Sequence, residues 1–476
     1  MDTIKLRTLA GLYLLPLLLA GWSGAQAASV TIINANTPGV GFNDPTPAAP
    51  VGGNSGVTLG EQRLIAFTYA AEIWGSKLDS PVPIRVQASF QPLSCTASSA
   101  VLGSAGAASI YADFPGAQRS NTWYPGALAA KLAGADQDEP GDPHLIARFN
   151  SRLGLFPDCL PGSPFYLGLD NHHGSQVDLV TVLLHEMAHG LGFQTYTDEQ
   201  SGEFYFGTPS IWDHHLTDNR NGKTWVMESA AERAASSVSG DGLSWDGAHV
   251  NAAVPVVLSG ESRLIISGNA AGPAAGTYQV GDAAFGPPLA NPPLTGQVMP
   301  VVDQPDGAGL ACTALSPANA LAVDHNIGLV DRGGCNFTVK AKNLQDAGAT
   351  GMIVIDNVAG PVTGLGGSDP SVTIPAVRVS QADGNLIRAS LQHRSRTMSG
   401  VIASLGVDTA KLAGTDAGQR VLMYTPLEYE PGSSVSHYST DAKPNQLMEP
   451  ALNADLRHQV EPPRDLTLPL LRDIGW

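Results

Sequence analysis

Apolar residues recur at helical spacing early in the chain. Within Glu61–Leu78, the residues Leu64, Phe67, Ala71 and Trp74 follow one another at intervals of three or four. Such intervals place the side chains on one face of a helix. The pattern predicts an amphipathic helix that buries this face. The next segment, 82–90, alternates apolar and polar residues and predicts a strand.

A second helix is predicted around the stretch Leu183–Phe193. Upstream, Ser175 with Asp178 three residues later resembles an N-terminal capping box. Downstream, Gly190 and Gly192 supply a helix stop, because glycine readily adopts the left-handed conformation that ends a helix. The pattern therefore predicts a helix that begins just after Ser175 and stops at Gly190 or Gly192.

From about residue 270 to 405 the apolar runs become short and are separated by loops rich in Gly, Asp and Pro. A helical segment, Thr338–Ala347, lies between the first two runs. This arrangement predicts a local strand–helix–strand unit within an inserted module that has its own core. The runs are Ile327–Val330, Met352–Ile355 and Ile374–Val379.

The chain has 476 residues and a formal net charge of -17. Two or three domains are expected at this length. The acidic balance argues against nucleic acid and against anionic lipid as partners, since both carry the same sign of charge. The 53 glycines and 35 prolines indicate many turns.

The N-terminus has the layout of a secretory signal peptide. Lys5 and Arg7 precede an apolar run from Leu9 to Ala20, and small residues follow up to Ala27. We therefore expect residues 1–27 to be removed. No later apolar run approaches the ~20 residues that a membrane helix needs. The prediction is a secreted protein, extracellular or periplasmic, without a membrane span after cleavage.

Four cysteines are present, Cys95, Cys159, Cys312 and Cys335. An even number in an oxidising compartment suggests two disulfides. Proximity along the chain favours Cys95–Cys159 and Cys312–Cys335. None has C-x-x-C spacing, so structural bridges are preferred over a thiolate zinc site.

The motif His185-Glu186-x-x-His189 carries the clearest chemical signal. Residues four apart on a helix lie on one face, so both imidazoles can reach a single Zn²⁺ ion. Glu186, next to the first histidine, can then act on a water molecule. The alternative is a chance match in an amphipathic helix with ordinary histidines.

A catalytic zinc site needs a third protein ligand. The pattern H-E-x-x-H-x-x-G-x-x-H would supply a third histidine three residues after Gly192, but that position is Thr195. Glu228 and Glu232, some 40 residues after His189, would suit a gluzincin, in which a downstream helical glutamate completes the site.

A group of short motifs stands out between residues 332 and 377: Arg332–Phe337, Lys340, Lys342, Asp346–Gly351, Ile353, Asn357 and Ile374–Val377. Together these motifs resemble the protease-associated (PA) domain. The resemblance implies a small β-rich module at about residues 269–405 that contacts substrate or a partner protein. It implies no catalytic residue.

A second resemblance involves both ends of the chain. Taken with the H-E-x-x-H helix, the segments Gly432–Tyr438 and Asn445–Pro450 resemble the leishmanolysin-type branch of metzincins. The resemblance implies that His437 is the third ligand and that Met448 is the Met-turn residue beneath the metal. About 245 residues separate Gly192 from His437, and the PA-like insert would occupy much of this gap.

The sequence therefore predicts an α+β fold in which a metzincin-like zinc peptidase domain is split by an inserted β-rich α/β PA domain. The predicted parts are 28–268, 269–405 and 406–476. The expected activity is zinc-dependent hydrolysis of peptide bonds inside protein or peptide substrates. In this prediction His185, His189 and His437 bind Zn²⁺, and Glu186 is the general base.

Two alternatives remain open at this point. One is a gluzincin-type peptidase with Glu228 or Glu232 as third ligand, which the zinc content of the corresponding variants would distinguish. The other is a non-catalytic secreted binding protein that acts through the PA-like module. Hydrolysis of casein, blocked by a chelator, would separate an enzyme from a binding protein.

Overall fold

The computed structural model describes residues 27–360, 362–453 and 455–476. The predicted signal peptide, except for Ala27, lies outside the described residues. Among the helices of the described segments, none combines the length and the apolar character that a membrane crossing requires.

The fold is mixed α/β, with helices and strands throughout the described chain. The α-helices are α1 (Leu59–Lys77), α2 (Gly126–Ala133), α3 (Leu179–Leu191), α4 (Ala230–Ser236), α5 (Ala248–Val257), α6 (Pro317–Val323), α7 (Phe337–Asp346), α8 (Gln381–Ser390) and α9 (Thr467–Ile474). The strands are β1 (Val30–Asn34), β2 (Ile84–Gln91), β3 (Gly103–Ala107), β4 (Ile110–Tyr111), β5 (Tyr124–Pro125), β6 (Leu145–Asn150), β7 (Phe165–Tyr166), β8 (Val177–Asp178), β9 (Leu216–Asp218), β10 (Leu243–Trp245), β11 (Gly260–Ser267), β12 (Gly276–Gln279), β13 (Gly281–Asp282), β14 (Leu294–Pro300), β15 (Ile327–Asp331), β16 (Gly351–Ile355), β17 (Ala376–Val379) and β18 (Ile402–Leu412).

The N-terminal sheet has the strand order β1-β2-β6-β3 within the described residues. Strands β1, β2 and β6 are parallel, and β3 is antiparallel at one edge. The strand predicted at 82–90 is confirmed as β2, whose alternate residues Ile84, Val86, Ala88 and Phe90 are buried. This alternation arises because successive side chains of a strand point to opposite faces.

Helix α1 confirms the first predicted helix, and the reciprocal capping box of Thr58 and Glu61 begins it. Phe67 and Trp74 are buried as predicted, but Leu64 is 42% exposed, so its place on the buried face was wrong. The buried face includes Ala66 and other small residues instead. Small side chains let the helix backbone approach its neighbours closely.

Helix α3 is buried along its whole length, as expected for a helix that is apolar all round. The predicted capping box was wrong, because Asp178 itself is the N-cap and accepts a hydrogen bond from the Thr181 amide. The helix also continues through Gly190 and ends at Gly192, which has a φ of 120°.

The larger sheet has the order β12-β11-β18-β14-β15-β16-β17-β13 in the described chain. Strands β14 to β17 are parallel, and α7 connects β15 to β16. The predicted strand–helix–strand unit is therefore confirmed. Separate apolar clusters, which contain Leu329 and Val330 respectively, cover the two faces of this sheet.

The apolar clusters divide the chain into two parts along the sequence. The first, called here the outer part, has one cluster that combines residues between 28 and 258 with residues between 421 and 474. The second, called the inner part, contains the clusters of the larger sheet, whose residues lie between 264 and 405. Gly260 of β11 pairs with Leu412 of β18, so the chain enters and leaves the larger sheet at adjacent points. The boundaries at 268/269 and 405/406 stay predictions.

Both disulfides join the predicted partners. The Cys95–Cys159 bond lies in the outer part of the chain and the Cys312–Cys335 bond lies in the inner part. The described residues contain no free cysteine.

Trp74 connects α1 with α3. Its side chain is 1% exposed, and its indole N–H donates a hydrogen bond to the Leu184 carbonyl of α3 at 3.2 Å. We expect Trp74→Ala to lower the free energy of unfolding by about 3–5 kcal/mol through cavity formation. The matched change Leu64→Ala, on the exposed side of the same helix, should stay within about 0.5 kcal/mol. Urea unfolding followed by circular dichroism measures both. Equal midpoints for the two variants would contradict this packing.

Candidate functional site

The structure brings together the three histidines that the sequence singled out. The Nε2 atoms of His185, His189 and His437 lie 3.2 Å apart in each of the three pairs. The side chains are 8%, 8% and 4% exposed, respectively. Two come from one face of α3, and the third arrives from the C-terminal part of the chain.

The opposite ring nitrogen of each histidine is held by a backbone carbonyl. His185 Nδ1 contacts the Leu447 oxygen at 2.8 Å, and His189 Nδ1 contacts the Phe193 oxygen at 2.7 Å. His437 Nδ1 contacts the Ser433 oxygen at 2.9 Å. Because a carbonyl can only accept, each Nδ1 carries the proton. In the neutral rings, all three Nε2 atoms therefore present lone pairs to one another.

Burial favours this neutral state. Loss of solvation lowers the pKa of His185 to about 4 and that of His189 to about 3, and it lowers the pKa of His437 well below its usual value. Neutral imidazole is the form that binds metal ions. Three convergent, unprotonated nitrogens repel one another unless a cation lies between them. The donor set therefore fits Zn²⁺, which favours imidazole nitrogen.

The turn that presents His437 is held against the segment around Tyr424 by two backbone hydrogen bonds. The Tyr424 amide donates to the His437 carbonyl at 2.8 Å, and the Val435 amide donates to the Tyr424 carbonyl at 2.7 Å. Val435 has a φ of 64°, a left-handed conformation that is unusual for a β-branched residue. Such strain persists only where the surroundings impose it, and here it shapes the turn just before His437.

The segment that contains Met448 supports His185 through its backbone. The Leu447 carbonyl is the acceptor for His185 Nδ1, and the Leu447 amide donates to Asp465 Oδ2 at 2.7 Å. Met448 is fully buried, and its carbonyl accepts from the Tyr438 amide at 2.8 Å. One short segment thus orients His185 and is also bonded to the residue after His437.

Gly192 allows the chain to return toward His189. Its φ of 120° turns the backbone so that the next carbonyl, that of Phe193, reaches His189 Nδ1. A Cβ at this position would lie 2.8 Å from Ile474 and 3.0 Å from Pro125. Both the conformation and the close packing therefore favour glycine.

Glu186 lies beside the histidines and faces strand β3. Its side chain is 7% exposed, and a Cβ on Gly103 would approach its Oε1 to 2.9 Å. Burial raises the pKa of Glu186 to about 8, since the charged form loses solvation. The carboxyl group lines the same cleft as the three histidines.

A cleft of about 1170 Å³ runs past these residues. One wall is strand β3 with the residues before it, and another is the turn before His437. The segments 194–199 and 449–453 line the remaining sides. His185, Glu186, His189 and His437 all line the cleft, so they are open to a ligand that occupies it.

The alternative glutamate ligands are engaged elsewhere. Glu228 Oε1 accepts from Asn221 at 2.7 Å, and Glu232 caps helix α4 and forms an ion pair with Lys223. Neither belongs to the histidine cluster. Thr195, at the position where a metzincin motif would have its third histidine, donates instead to Asp213 Oδ1 at 2.6 Å.

Tyr438 follows His437 but packs away from the cluster. Its hydroxyl donates to the Leu466 carbonyl at 3.0 Å, and its ring contacts Phe193. The groups that orient the histidines were not found from the sequence, because they are backbone carbonyls, which any residue can supply. Strand β3, which covers Glu186, carried no strong pattern either, since its sequence is Gly-Ser-Ala-Gly-Ala.

A second cluster of metal-ligand residue types contains Asp136, Asp138 and His144. The His144 Nδ1 accepts a hydrogen bond from the Arg85 amide at 3.1 Å. The His144 Nε2 therefore carries the proton and points to Asp136 Oδ1, also at 3.1 Å. This histidine lacks a free lone pair toward the carboxylates, so the arrangement is a hydrogen-bonded network.

Comparisons with known proteins match parts of the chain. Curated relatives match over short stretches, and the chain spans less than a fifth of their length. One is the receptor homology region, transmembrane domain- and RING domain-containing protein 1 of Oryza sativa subsp. japonica, 36% identical over 84 residues, or 17% of this chain and 16% of the relative. Another is the ER degradation-enhancing alpha-mannosidase-like protein 3 of Xenopus laevis, 40% identical over 78 residues, or 14% of this chain and 8% of the relative.

Among solved structures, the chain resembles an aminopeptidase from Aneurinibacillus sp. strain AM-1 with 21% identity and a TM-score of 0.24, over 32% of this chain and 31% of the other. It also resembles BSAP, a zinc aminopeptidase from Bacillus subtilis, with 18% identity and a TM-score of 0.22, over 36% and 38% of the two chains. These scores are too low to inform on chemistry. A protein-family model, the PA domain, matches residues 294–387. This range includes strands β14 to β17 of the larger sheet. The chain therefore contains a PA domain.

Proposed function

We propose that this protein is a secreted zinc-dependent endopeptidase. One observation carries the proposal: three buried histidine Nε2 atoms converge at 3.2 Å from one another, beside a carboxyl group and in an open cleft. The Nδ1 atom of each histidine forms a hydrogen bond with a backbone carbonyl, as is usual for histidines that bind a metal ion. A purely structural site would need no carboxyl group placed next to the ligands.

In this proposal His185, His189 and His437 hold Zn²⁺. Three protein ligands are the number typical of a catalytic zinc site, whereas a structural site commonly has four. A bound Zn²⁺ ion would act as a Lewis acid toward a substrate carbonyl and would make a water molecule more acidic. Met448, which is fully buried in the segment that orients His185, is proposed as the Met-turn residue.

Glu186 performs the proton transfers. Its carboxylate accepts a proton from the attacking water and then delivers it to the nitrogen of the departing amine. Gly103 leaves room for its Oε1, since a Cβ at that position would lie 2.9 Å from this atom.

Strand β3 is proposed to align the substrate. It pairs with β6 on one side and is the end of the described sheet on the other. An extended peptide can add to such an edge through main-chain hydrogen bonds. Thr181 and Thr197, which lie before and after Glu186 in the sequence, both line the cleft. Its volume of about 1170 Å³ leaves room for a peptide segment, which supports peptidase activity.

The proposed architecture is a metzincin-like domain formed by residues 28–268 and 406–476. The shared apolar cluster and the arrival of His437 next to α3 support this division. A PA domain inserted between these parts would contact protein substrates or a partner. The predicted signal peptide and the two disulfides support secretion, since disulfides persist in oxidising compartments.

The identity of the third ligand can be tested by metal analysis. We expect His437→Ala to lower zinc affinity by more than about 100-fold, because a first ligand contributes more than the supporting groups whose loss already costs 10–100-fold. The variants Glu228→Ala and Glu232→Ala should retain about one zinc per chain. Competition with a chromogenic chelator measures all three. Normal zinc affinity in His437→Ala would reject this ligand set.

The general base can be tested independently of metal binding. Glu186→Gln preserves size but cannot accept a proton, so kcat/KM should fall by at least about 10²–10⁴-fold while zinc content stays unchanged. The matched variant Glu203→Gln, at an exposed position, should behave as the wild type. A wild-type value of kcat/KM for Glu186→Gln would contradict the proposed mechanism.

Removal of zinc by a chelator tests whether this protein is an enzyme or a non-catalytic binding protein. Wild-type protein should hydrolyse casein, lose this activity after treatment with 1,10-phenanthroline, and regain it when Zn²⁺ is added back. Mass spectrometry should detect cleavage inside the casein chains rather than stepwise loss of terminal residues. An absence of products from zinc-loaded protein would favour the binding role of the PA domain.

A further inference from the structure

We infer that Asp213 is a positioning residue for the proposed zinc site, because it fixes the segment after α3 against the turn that carries His437. The two segments meet in a hydrogen bond between Thr195 and Ser436. This role rests on the proposed function, since it concerns the third ligand of the same site. Asp213, Thr195 and Ser436 are assigned to the support of that ligand, and none of them is proposed to bind the metal ion.

The third ligand is far from the other two along the chain. His437 follows His189 by 248 residues. In the pattern H-E-x-x-H-x-x-G-x-x-H, the third histidine would occupy position 195, and the chain itself would hold it near the metal. Here noncovalent contacts must hold the turn of His437 beside the end of α3. Ligand distances in metal sites vary by only about 0.2 Å, so these contacts must be firm.

The segment after α3 contacts both elements that carry the ligands. The Phe193 carbonyl accepts from His189 Nδ1 at 2.7 Å, and two residues later the Thr195 amide donates to Ser436 Oγ at 3.2 Å. Ser436 immediately precedes His437 and is 6% exposed. One short segment therefore orients the ring of His189 and is also bonded to the residue before the third ligand.

Asp213 holds this segment through both of its carboxylate oxygens. Its Oδ1 accepts from the Thr195 hydroxyl at 2.6 Å. Its Oδ2 accepts from the Thr197 hydroxyl at 3.1 Å and from the Ser210 amide at 2.7 Å. The Thr197 amide in turn donates to Thr195 Oγ1 at 2.9 Å. The side chain of Thr195, whose amide contacts Ser436, is therefore fixed by a donated and an accepted hydrogen bond.

Asp213 is completely buried, so water does not compete for its hydrogen bonds. Burial raises the pKa of its carboxyl group, and the hydrogen bonds from Thr195, Ser210 and Thr197 counteract this rise, because they stabilise the charged form. Hydrogen bonds to a charged acceptor are roughly twice as strong as those between neutral groups. The carboxylate therefore restrains Thr195 more firmly than an uncharged acceptor would.

Aromatic rings support the same junction. Phe193 packs against Trp212, the residue before Asp213, with ring centroids 4.8 Å apart. Phe193 also contacts Tyr438, the residue after His437, with ring centroids 5.1 Å apart. All three rings are fully buried. The segment after α3 thus contacts the neighbours of Asp213 and of His437 through apolar as well as polar groups.

The Thr195 hydroxyl is tested with two related variants. Thr195→Val removes the hydroxyl and nearly keeps the shape, whereas Thr195→Ser keeps the hydroxyl. We expect zinc affinity to fall by about 10-fold in Thr195→Val and to stay within about threefold of the wild type in Thr195→Ser, because groups that orient metal ligands contribute 10- to 100-fold. Competition with a chromogenic chelator measures both. Equal affinities of the two variants would overturn the role of this hydroxyl.

The link to His437 is tested by Ser436→Ala, which leaves the Thr195 amide without its acceptor. The matched control is Ser236→Ala, because Ser236 Oγ also accepts from an N–H group, that of the Trp225 indole, at 2.7 Å. Both variants should lower the midpoint of urea unfolding. Only Ser436→Ala should lower zinc affinity, by about 10-fold. The same loss of affinity in both variants would indicate a general loss of stability and would overturn the inference.

Bound Co²⁺ reports whether the third ligand moves. Its visible absorption depends on the coordination geometry, which a loss of stability alone does not alter in the folded protein. At saturating Co²⁺ we expect the absorption bands of Ser436→Ala and Thr195→Val to differ from those of the wild type in wavelength or intensity. The bands of Ser236→Ala and Thr195→Ser should match the wild type. Identical spectra for all of these proteins would overturn the inference.

Asp213→Asn keeps the size of the side chain and replaces one acceptor oxygen by an NH₂ donor. We expect zinc affinity to fall by at least about 10-fold. Because the inferred path leads through Ser436, adding Ser436→Ala should cost no more than about twofold beyond the stronger single variant. Losses that multiply would overturn this path. Should Asp213→Asn fail to fold, as judged by circular dichroism, Thr195→Val combined with Ser436→Ala is judged by the same criterion.

Metal binding is measured without substrate, so the positioning role and the peptidase function fail separately. Zinc binding by the wild type without cleavage of casein, together with the expected losses of affinity, would reject the peptidase and keep the positioning role. Cleavage of casein by the wild type, together with unchanged zinc affinity in Thr195→Val, Ser436→Ala and Asp213→Asn, would reject the positioning role and keep the peptidase.

Discussion

The candidate site depends on three hydrogen bonds from histidine Nδ1 atoms to backbone carbonyls. The acceptors, Leu447, Phe193 and Ser433, come from three separate segments of the chain. Each bond fixes both the direction of a ring and the position of its proton, so that three lone pairs meet in one buried place. Without this arrangement, the same histidines would be ordinary buried side chains.

The rest of the fold keeps those segments in place. The outer apolar cluster contains residues that precede the PA domain and residues that follow it, so His437 can pack beside α3 despite its distance in sequence. The paired strands β11 and β18 bring Gly260 and Leu412 together. Because loop-closure entropy grows only logarithmically with length, a long folded segment whose ends meet adds little to the entropic cost of bringing His437 beside α3.

Much of the local structure could be predicted, and the errors have physical reasons. The pattern of α1 placed Trp74 correctly, but periodicity alone did not distinguish Leu64, which lies on the exposed side, from small residues that pack closely. The capping box at Ser175 was wrong because a suitable pair of residues defines a cap only where the helix actually begins. Both disulfides were predicted, since proximity in sequence matched proximity in space.

The sequence by itself determined the residue types at the site, since the spacing of His185, Glu186 and His189 on a helix depends on helical geometry alone. It also determined that residues 294–387 resemble a PA domain. Only the tertiary structure brought His437 to 3.2 Å from the other two Nε2 atoms. It also selected the carbonyls that orient them. Contacts between distant segments depend on how the whole chain packs, and no local pattern encodes them.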